Sequence, residues 1–234
     1  MLVLAFDTST NRGSAAVLRD GAILSQISWD REGSHGEMLV PALEESLKKA
    51  AVTAADLDAI AIGHGPGSFT GVRVAVNAAK ALSYANDLPV YAFDTTELLA
   101  AGVLDQSLPV LALVNAHKNL LYASTFEWSG KSWTRKLDLD ARSIEQVQDA
   151  VKTPHVVVGD GFEEYKEHFS MGFHGRVKRD PRFPDDPVPE SFAILLKDVS
   201  ALPRPLDWKG VQALYIRASG AEEKLRESHG KPRT

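Results

Sequence analysis

A glycine-rich stretch at residues 63–73, with the sequence Gly-His-Gly-Pro-Gly-Ser-Phe-Thr-Gly-Val-Arg, constrains the fold of this chain more than any other feature. It follows an apolar run over 57–62, which predicts a buried strand, and it precedes a small-residue segment over 72–84, which predicts a helix. Glycine permits positive φ and close approach between backbones. A glycine loop that ends at a helix N-terminus directs unpaired N–H groups and a positive dipole end toward one point, which is typical of an anion-binding site.

The same stretch excludes three familiar kinds of site. It contains no Gly-Lys-Ser/Thr, so it is not a phosphate-binding loop of the Walker type. The spacing Gly65-x-Gly67-x-x-x-Gly71 is one residue off the dinucleotide-binding fingerprint. Pro66 stands where a nucleophile elbow requires glycine, so Ser68 is not expected to be a hydrolase nucleophile.

Composition narrows the function classes further. The 234 residues suffice for one large domain or two small ones. No apolar run approaches the ~18 residues of a membrane helix, and the chain starts directly with a strand-like segment, so we expect a cytoplasmic protein with no membrane partner. The absence of cysteine excludes disulfides and thiolate zinc sites. A formal net charge of −5 disfavours direct binding of nucleic acid.

A repeat at an offset of about 108 residues predicts two similar α/β lobes. Residues 2–7 predict a strand, and residues 14–18 and 22–29 predict a hairpin around an Asp-Gly turn. The strand pattern recurs at 110–115 and the first hairpin arm at 120–126. We therefore assign an N-terminal lobe to residues 1–106 and a C-terminal lobe to residues 107–234.

The remaining elements follow from apolar periodicity and from turn signals. Ser34 and Glu37 have the spacing of a capping box, and the helix that they begin continues its apolar stripe across Pro41. Further strands are expected at 89–93 and 155–159; further helices are expected at 95–104, 143–151, 162–169 and 191–199; and the proline-rich stretch 181–189 is expected to be a surface loop.

Four segments in the same order resemble the TsaB (YeaZ) family: 7–10 (Asp-Thr-Ser-Thr), 65–73, 157–161 (Val-Val-Gly-Asp-Gly) and 215–217 (Tyr-Ile-Arg). The resemblance implies a duplicated actin-like (ASKHA, ribonuclease-H-like) α/β fold with mixed sheets flanked by helices. It also implies a non-catalytic protein required for threonylcarbamoyladenosine modification of tRNA. Its partners would be TsaD, the catalytic paralogue, and through it the ATPase TsaE. Such proteins self-associate when alone, and contact with tRNA would be indirect.

The resemblance places a vestigial nucleotide or anion site at the end of the first strand and at the glycine loop. Its residues are Asp7, Ser9, Gly65, Gly67, Ser68 and Arg73. Asp7 has two interpretations: an organiser of Mg²⁺ and phosphate, as in actin-like ATPases, or the cap of a turn. Arg73 lies in the first turn of a helix, where a cation opposes the dipole, so we expect an anion or a carboxylate beside it.

Two departures from the expected patterns argue against catalysis by this chain. The second lobe has Asn115-Ala116-His117 where the family usually has Asp-Ala-Arg, which weakens a nucleotide or metal role there. The residue four after His35 is Leu39 rather than a second histidine, so we expect no metal site. No cofactor is required on this view, although weak nucleotide binding is compatible with it.

Two helices supply the expected partner interface, through Met38, Leu39, Val72 and Val76. The basic cluster at 176–182 is interpreted as a solvated strand edge rather than a tRNA contact, since no aromatic residues are interleaved with it. The leading hypothesis is a pseudoenzyme scaffold. The alternative is a small actin-fold ATPase or kinase that acts on its own; a glycoprotease-like peptidase is excluded for lack of metal ligands and of an activated nucleophile.

Overall fold

The computed structural model describes residues 1–30, 35–104, 107–183 and 185–217. The predicted capping box includes Ser34, and the polar C-terminal tail consists of the last fifteen residues, 220–234; both lie outside the described residues. Within the described ranges, no helix combines the length and the apolar character needed to cross a membrane.

The first half of the chain forms a five-stranded mixed sheet with the order β3-β2-β1-β4-β5. The strand β1 is central; it pairs antiparallel with β2, so that Asp7 lies opposite Ser14, and parallel with β4. Its backbone is buried along its whole length. The elements are β1 (Leu2–Asp7), β2 (Arg12–Arg19), β3 (Ala22–Asp30), α1 (His35–Lys49), β4 (Ala59–Gly63), α2 (Phe69–Asn86) and β5 (Val90–Phe93).

The second half repeats this arrangement. Read from its hairpin edge, as the first sheet was, the order is β8-β7-β6-β9-β10. Its central strand β6 again pairs antiparallel with the next strand and parallel with the strand that follows the first helix. The elements are β6 (Val110–Asn115), β7 (Leu120–Trp128), β8 (Trp133–Ser143), α4 (Ile144–Ala150), β9 (His155–Val158), α5 (Asp160–Tyr165), α6 (Met171–His174) and β10 (Val177–Arg179). The identical strand order confirms the duplicated actin-like fold that the repeat and the resemblance predicted.

One helix follows the last strand of each half, and these two helices connect the lobes. These are α3 (Thr95–Ala101) and α7 (Pro189–Leu195), which pack against each other between the two sheets. From α7, Phe192 lies 6.2 Å from the ring of Phe93 and packs in the core of the first sheet. From α3, Leu98 packs in that same core, whereas Leu99 packs against the second sheet. The strands β1–β5 and β6–β10 form separate sheets, and α7 returns to pack against the first of them.

Polar contacts add a second connection between the lobes. Asp94 caps the N-terminus of α3 by accepting a hydrogen bond from the Glu97 backbone N–H. Arg135, on β8, forms an ion pair with Asp94 and donates hydrogen bonds to Thr96 and Ser124. Burial, together with the charge of Asp94, raises the pKa of Glu97 to about 7. A charged network of this kind fixes the orientation of α3 against the second sheet.

Most element boundaries agree with the predictions to within a few residues, and the larger differences have local causes. The helix α2 begins at Phe69 rather than at residue 72, because Ser68 accepts a hydrogen bond from the Gly71 N–H and acts as the N-cap. Within the stretch expected to be a loop, Pro189 begins α7, a position that proline favours. The eleven-residue strand β8 was not predicted. The helix expected at 162–169 ends at Tyr165 and continues as a 3₁₀ turn.

Candidate functional site: the cavity between the lobes

A cavity of about 390 Å³ lies where the central strands of the two sheets end. One wall comes from the β1–β2 turn and from the start of α2, and the other comes from the β6–β7 turn and from Asp160 at the start of α5. The third side is the end of a C-terminal segment, residues 206–217, which we call the strap. The lining polar residues include Ser9, Asn11, Ser68, Thr70, Asn115, His117, Lys118, Asp160, Tyr215 and Arg217.

Asp7 caps the turn at the end of β1. Its Oδ1 accepts hydrogen bonds from the backbone N–H and from the hydroxyl of Ser9, each at 2.9 Å. The hydroxyl of Thr95, at the start of α3, donates to Ser9 Oγ at 2.9 Å. This is the Asx-turn geometry expected of the turn-cap interpretation. The turn is therefore tied to the helix that lies between the sheets.

The other oxygen of Asp7 faces the protein interior. Asp7 is fully buried, and its Oδ2 has no hydrogen-bond partner. A Cβ atom added to Gly63 would lie 1.7 Å from Oδ2, so the carboxylate fills the space beside that glycine. Burial raises the pKa of Asp7 to about 7; the bonds from Ser9 oppose this shift and the charge of Asp186 adds to it. Asp7 does not line the cavity, so the structure does not present it as a ligand for a metal ion there.

The glycine loop packs against the β1–β2 turn. The Ser68 N–H donates to the Ser9 carbonyl at 2.7 Å, and the Thr8 hydroxyl donates to the Gly71 carbonyl at 2.7 Å. A Cβ atom at Gly67 would lie 2.1 Å from the Ser9 carbonyl oxygen, and one at Gly71 would lie 1.9 Å from that of Thr8. These two glycines thus permit contact between two backbones of the same chain. Two N–H groups expected to face an anion, those of Ser68 and Gly71, bond within the chain instead.

Arg73 has aromatic partners in place of the expected carboxylate. Its Nε donates to the hydroxyl of Tyr215 at 2.8 Å, and its guanidinium carbon lies 3.8 Å from the centre of the Phe69 ring. The rings of Phe69 and Tyr215 are 5.2 Å apart. A cation over an aromatic face is stabilised by the ring quadrupole. The structure therefore separates Arg73 from Asp7, Ser9 and Ser68 and places it on the outer side of α2.

The second lobe repeats the turn with a neutral residue. Asn115, at the end of β6, accepts hydrogen bonds on Oδ1 from the His117 N–H at 2.8 Å and from the Tyr165 hydroxyl at 3.2 Å. An amide oxygen thus performs here the capping that Asp7 performs in the first lobe. Residues 117–119 all have positive φ, from 53° to 59°, which is costly for non-glycine residues and is concentrated at functional sites.

Asp160 is a site residue that we did not assign from the sequence, although it belongs to the 157–161 motif. Its Oδ1 accepts a hydrogen bond from the Asn115 N–H at 2.9 Å, and it lines the cavity. Burial raises the pKa of Asp160 to about 6; the bond from Asn115 opposes the shift, and the charges of Asp186 and Asp185 add to it. Its position just after a buried strand was the available signal, because carboxyl ends of parallel strands gather at one edge.

The strap begins on the first lobe, runs antiparallel to α2 and ends against the second lobe. Leu206 forms a two-bond antiparallel bridge with Val90, and Val211 is fully buried in the first core. The Leu214 N–H donates to the His64 carbonyl at 2.8 Å. Arg217 donates to the carbonyls of Ala116 at 2.6 Å and His117 at 3.3 Å.

Three of the four predicted interface residues lie in the core of the first lobe rather than on its surface. Leu39, Val72 and Val76 are at most 5% exposed and belong to the first core. Met38 is 39% exposed, beside Val40 at 54%. Direct contact between a partner and Leu39, Val72 or Val76 is therefore blocked in this arrangement, because helical periodicity identified an apolar face without showing what covers it. The exposed parts of α1 and α2 remain a predicted docking surface.

The position of His35, considered above for a metal site, is occupied by contacts within the chain. The Trp29 N–H donates to His35 Nδ1 at 3.2 Å, and His35 Nε2 lies 2.9 Å from the Thr10 carbonyl. Both ring nitrogens of His35 are therefore engaged. In the part of the chain that the structure describes, no group of three or more histidine, aspartate or glutamate side chains is placed to hold a metal ion.

Two of the four basic residues at 176–182, Arg179 and Arg182, are paired with acids. Arg179, on the edge strand β10, contacts Glu163 and Asp185. Arg182 bonds to Asp180, and these bonds hold the pKa of that carboxyl far below its ordinary value. Charges paired in this way have less capacity to neutralise the phosphates of a nucleic acid.

The contact between the glycine loop and the β1–β2 turn predicts a large effect of one methyl group. Gly71→Ala should destabilise the protein by about 3 kcal/mol or more, because the new Cβ would overlap the Thr8 carbonyl. Gly172→Ala is the control, since a Cβ there meets nothing within 4 Å and helical alanine is favoured over glycine. Urea denaturation measures both. Equal stability of the two variants would contradict this account of the loop.

The buried carboxyl of Asp7 predicts a pH-dependent loss of stability. Its folded pKa is raised, so its contribution is present at low pH and is lost as the pH rises from about 4 through about 7. Asp7→Asn keeps the acceptor for Ser9. Between pH 5 and 8 the variant should lose about 2 kcal/mol less of its unfolding free energy than wild type.

Denaturation at each pH measures this difference, with Asp138→Asn, at an exposed position, as the control. Glu97 and Asp160 are present in both proteins, so the comparison isolates Asp7. Parallel pH profiles for wild type and Asp7→Asn would show that Asp7 is ionised in the folded state throughout.

Comparison with known proteins agrees with this geometry. A family model described as TsaD: tRNA N6-adenosine threonylcarbamoyltransferase matches residues 25–174. The tRNA threonylcarbamoyladenosine biosynthesis protein TsaB of Bacillus subtilis (strain 168) is 26% identical over 250 aligned positions, which cover 97% of this chain and 99% of that protein. TsaB of Escherichia coli (strain K12) is 27% identical, covering 71% of this chain and 74% of that protein.

A solved structure extends the likeness to three dimensions. YeaZ from Pseudomonas aeruginosa superposes with a TM-score of 0.80 and 26% identity, covering 92% of this chain and 99% of that chain. The family model covers well over half of this chain. The chain therefore belongs to the family that this TsaD model describes, and within it to the TsaB (YeaZ) proteins.

Proposed function

We propose that this chain serves in the formation of threonylcarbamoyladenosine in tRNA as a non-catalytic scaffold. It docks and activates the catalytic paralogue TsaD and, through it, associates with the ATPase TsaE. The names of the Bacillus subtilis and Escherichia coli relatives support the pathway. The proposed place of action is the cytoplasm, where tRNA is modified.

The observation that carries the scaffold proposal is the contact between the glycine loop and the β1–β2 turn. In a working phosphoryl-transfer site, backbone N–H groups and metal ligands converge on the phosphates. Here Ser68 and Gly71 direct their N–H groups to acceptors in the chain, and Asp7 is buried away from the cavity. The part of the fold that would hold phosphate is thus used to position α2.

The alternative function is a small actin-fold ATPase. One observation favours it: the cavity between the lobes is retained, and Lys118 and Arg217 contribute cations to its lining. Its volume of about 390 Å³ lies at the lower end of the range for small-molecule sites. Asn115 provides no charge for a second metal ligand in this cavity, so binding without turnover fits the scaffold proposal better.

The exposed faces of α1 and α2 are the proposed docking surface for the paralogue. The helix α2 contains no acidic residue, and its outer side carries Arg73, Lys80 and Tyr84. The helix α1, beside it, has exposed Met38 and Val40 together with the acidic residues Glu37, Glu44 and Glu45. The family model spans both helices, so a paralogue would present counterpart helices. The exposed apolar side chains among charges of both signs suit a mixed apolar and polar interface.

Contact with tRNA is proposed to be indirect. The chain has a formal charge of −5, and two of the four basic residues at 176–182 are ion-paired. Most non-specific affinity for nucleic acid comes from neutralising phosphates. The basic surface for tRNA is therefore assigned to a partner.

Reconstitution tests the scaffold role. Threonylcarbamoyl transfer to tRNA is measured with the partner proteins, with and without this chain. We expect no transfer and no ATP hydrolysis by this chain alone, and a loss of transfer of at least tenfold when it is left out. Transfer that is independent of this chain would refute the scaffold proposal. Turnover of ATP by the purified chain would favour the ATPase instead.

Charge introduced on the exposed helix faces tests the docking surface. Met38→Glu combined with Ala81→Glu places two acids on solvent-facing positions of α1 and α2, where they should not disturb the core. We expect the affinity for the paralogue to fall about tenfold or more. The control is Met171→Glu, on α6 of the second lobe, where the side chain is 86% exposed.

Sedimentation velocity with and without the paralogue measures complex formation and self-association together. Loss of self-association alone would assign the surface to a second copy of this chain. Survival of both associations in the folded double variant would place the interface elsewhere.

A further inference from the structure

The strap joins two surfaces that the rest of the fold keeps apart: the cavity between the lobes and the outer face of α2. Trp208 packs edge-on against Tyr84 near the end of α2, with ring centres 5.2 Å apart. Tyr215 packs against Phe69 at the start of α2, also at 5.2 Å. The fifteen residues between these positions of α2 span about 22 Å, and seven strap residues reach up to about 25 Å. The strap therefore follows α2 along its length.

Tyr215 belongs to both surfaces. Its ring lines the cavity, and its hydroxyl accepts the hydrogen bond from Arg73 on the outer face of α2. It is 46% exposed, so it is held by these contacts rather than by burial. A displacement of Tyr215 would remove a partner from both Phe69 and Arg73, which lie in the first two turns of α2.

The end of the strap is attached to the opposite lobe. Arg217 donates to the carbonyls of Ala116 and His117, in the β6–β7 turn. The strap is anchored in the first lobe by buried Val211 and by the bond from Leu214 to His64. It thus crosses the opening of the cavity from one lobe to the other. A change in the distance between the lobes must therefore break the Arg217 contacts or move Tyr215.

We propose that residues 211–217 transmit the spacing of the two lobes to the docking face of α2, through Arg217 at one end and Tyr215 at the other. Closed lobes hold Tyr215 against Phe69 and Arg73 and keep the start of α2 ordered for the partner. Opened lobes withdraw it. This inference rests on the proposed docking function, and by linkage a partner bound to α2 favours the closed lobes to the same extent.

The test removes the far anchor without altering α2. Arg217→Gln should speed amide hydrogen exchange at residues 212–216 and also at residues 69–76, at the start of α2. Affinity for the paralogue should fall about fivefold or more. The control is Arg142→Gln, since Arg142 likewise donates to backbone carbonyls, those of Ala123 and Asp140, but within the second lobe.

A double-mutant comparison identifies the route. If the effect passes through Tyr215, Arg217→Gln adds nothing to exchange at residues 69–76 in a Tyr215→Ala background. Faster exchange in the strap with unchanged exchange at 69–76 would overturn the inference. A uniform rise that includes β6 would also overturn it, as would no change in the strap.

The exchange readout separates this inference from the proposed function. If Arg217→Gln speeds exchange at both 212–216 and 69–76 but the chain does not bind the paralogue, the link through the strap stands and the docking role is refuted. If the paralogue binds equally well to wild type and Arg217→Gln, and exchange at 69–76 does not change, the docking role stands and the link through the strap is refuted.

Discussion

The close contact between the glycine loop and the β1–β2 turn determines the rest of the structure. Two carbonyl oxygens, those of Thr8 and Ser9, occupy the positions where side chains at Gly71 and Gly67 would begin. That contact fixes the starting point and direction of α2, whose N-cap Ser68 bonds to the same turn. The turn also bonds to α3 between the sheets. One backbone contact thus positions a cavity wall, α2 and the helix that joins the lobes.

In both lobes the turn after the central strand is capped by a side-chain oxygen, but the capping residues differ. Comparing them explains the raised pKa of Asp7. Capping requires one oxygen, which Asn115 supplies as an amide. Asp7 supplies one as well, and its second oxygen lies buried beside Gly63 without a partner. An unpaired buried oxygen is unfavourable in its ionised form, which is why burial raises the pKa of Asp7 to about 7. The second oxygen of Asp7 is therefore not required for capping the turn.

The sequence predicted the elements that depend on local pattern and missed those that depend on distant partners. Apolar runs located both central strands, and the repeat predicted the matching sheets, because each lobe uses the same local chemistry. The strand β8 was missed although Leu137 and Leu139 alternate with charged residues, because Arg135 interrupts its apolar face. The partner of Arg73 was missed because Tyr215 lies 142 residues away. Helical periodicity identified Val72 and Val76 as one apolar face, and only packing shows that the first core covers it.

The balance of forces between the lobes explains how a small strap can matter. Each sheet has its own apolar core, and α3 and α7 add apolar contacts between them. Across the cavity, by contrast, the lobes meet through polar contacts such as those of Arg217. A charge-assisted hydrogen bond contributes about 1.5–3 kcal/mol, and coupling between two binding sites is typically about 1–3 kcal/mol. These magnitudes match, so the contacts across the cavity have the strength that the proposed coupling requires.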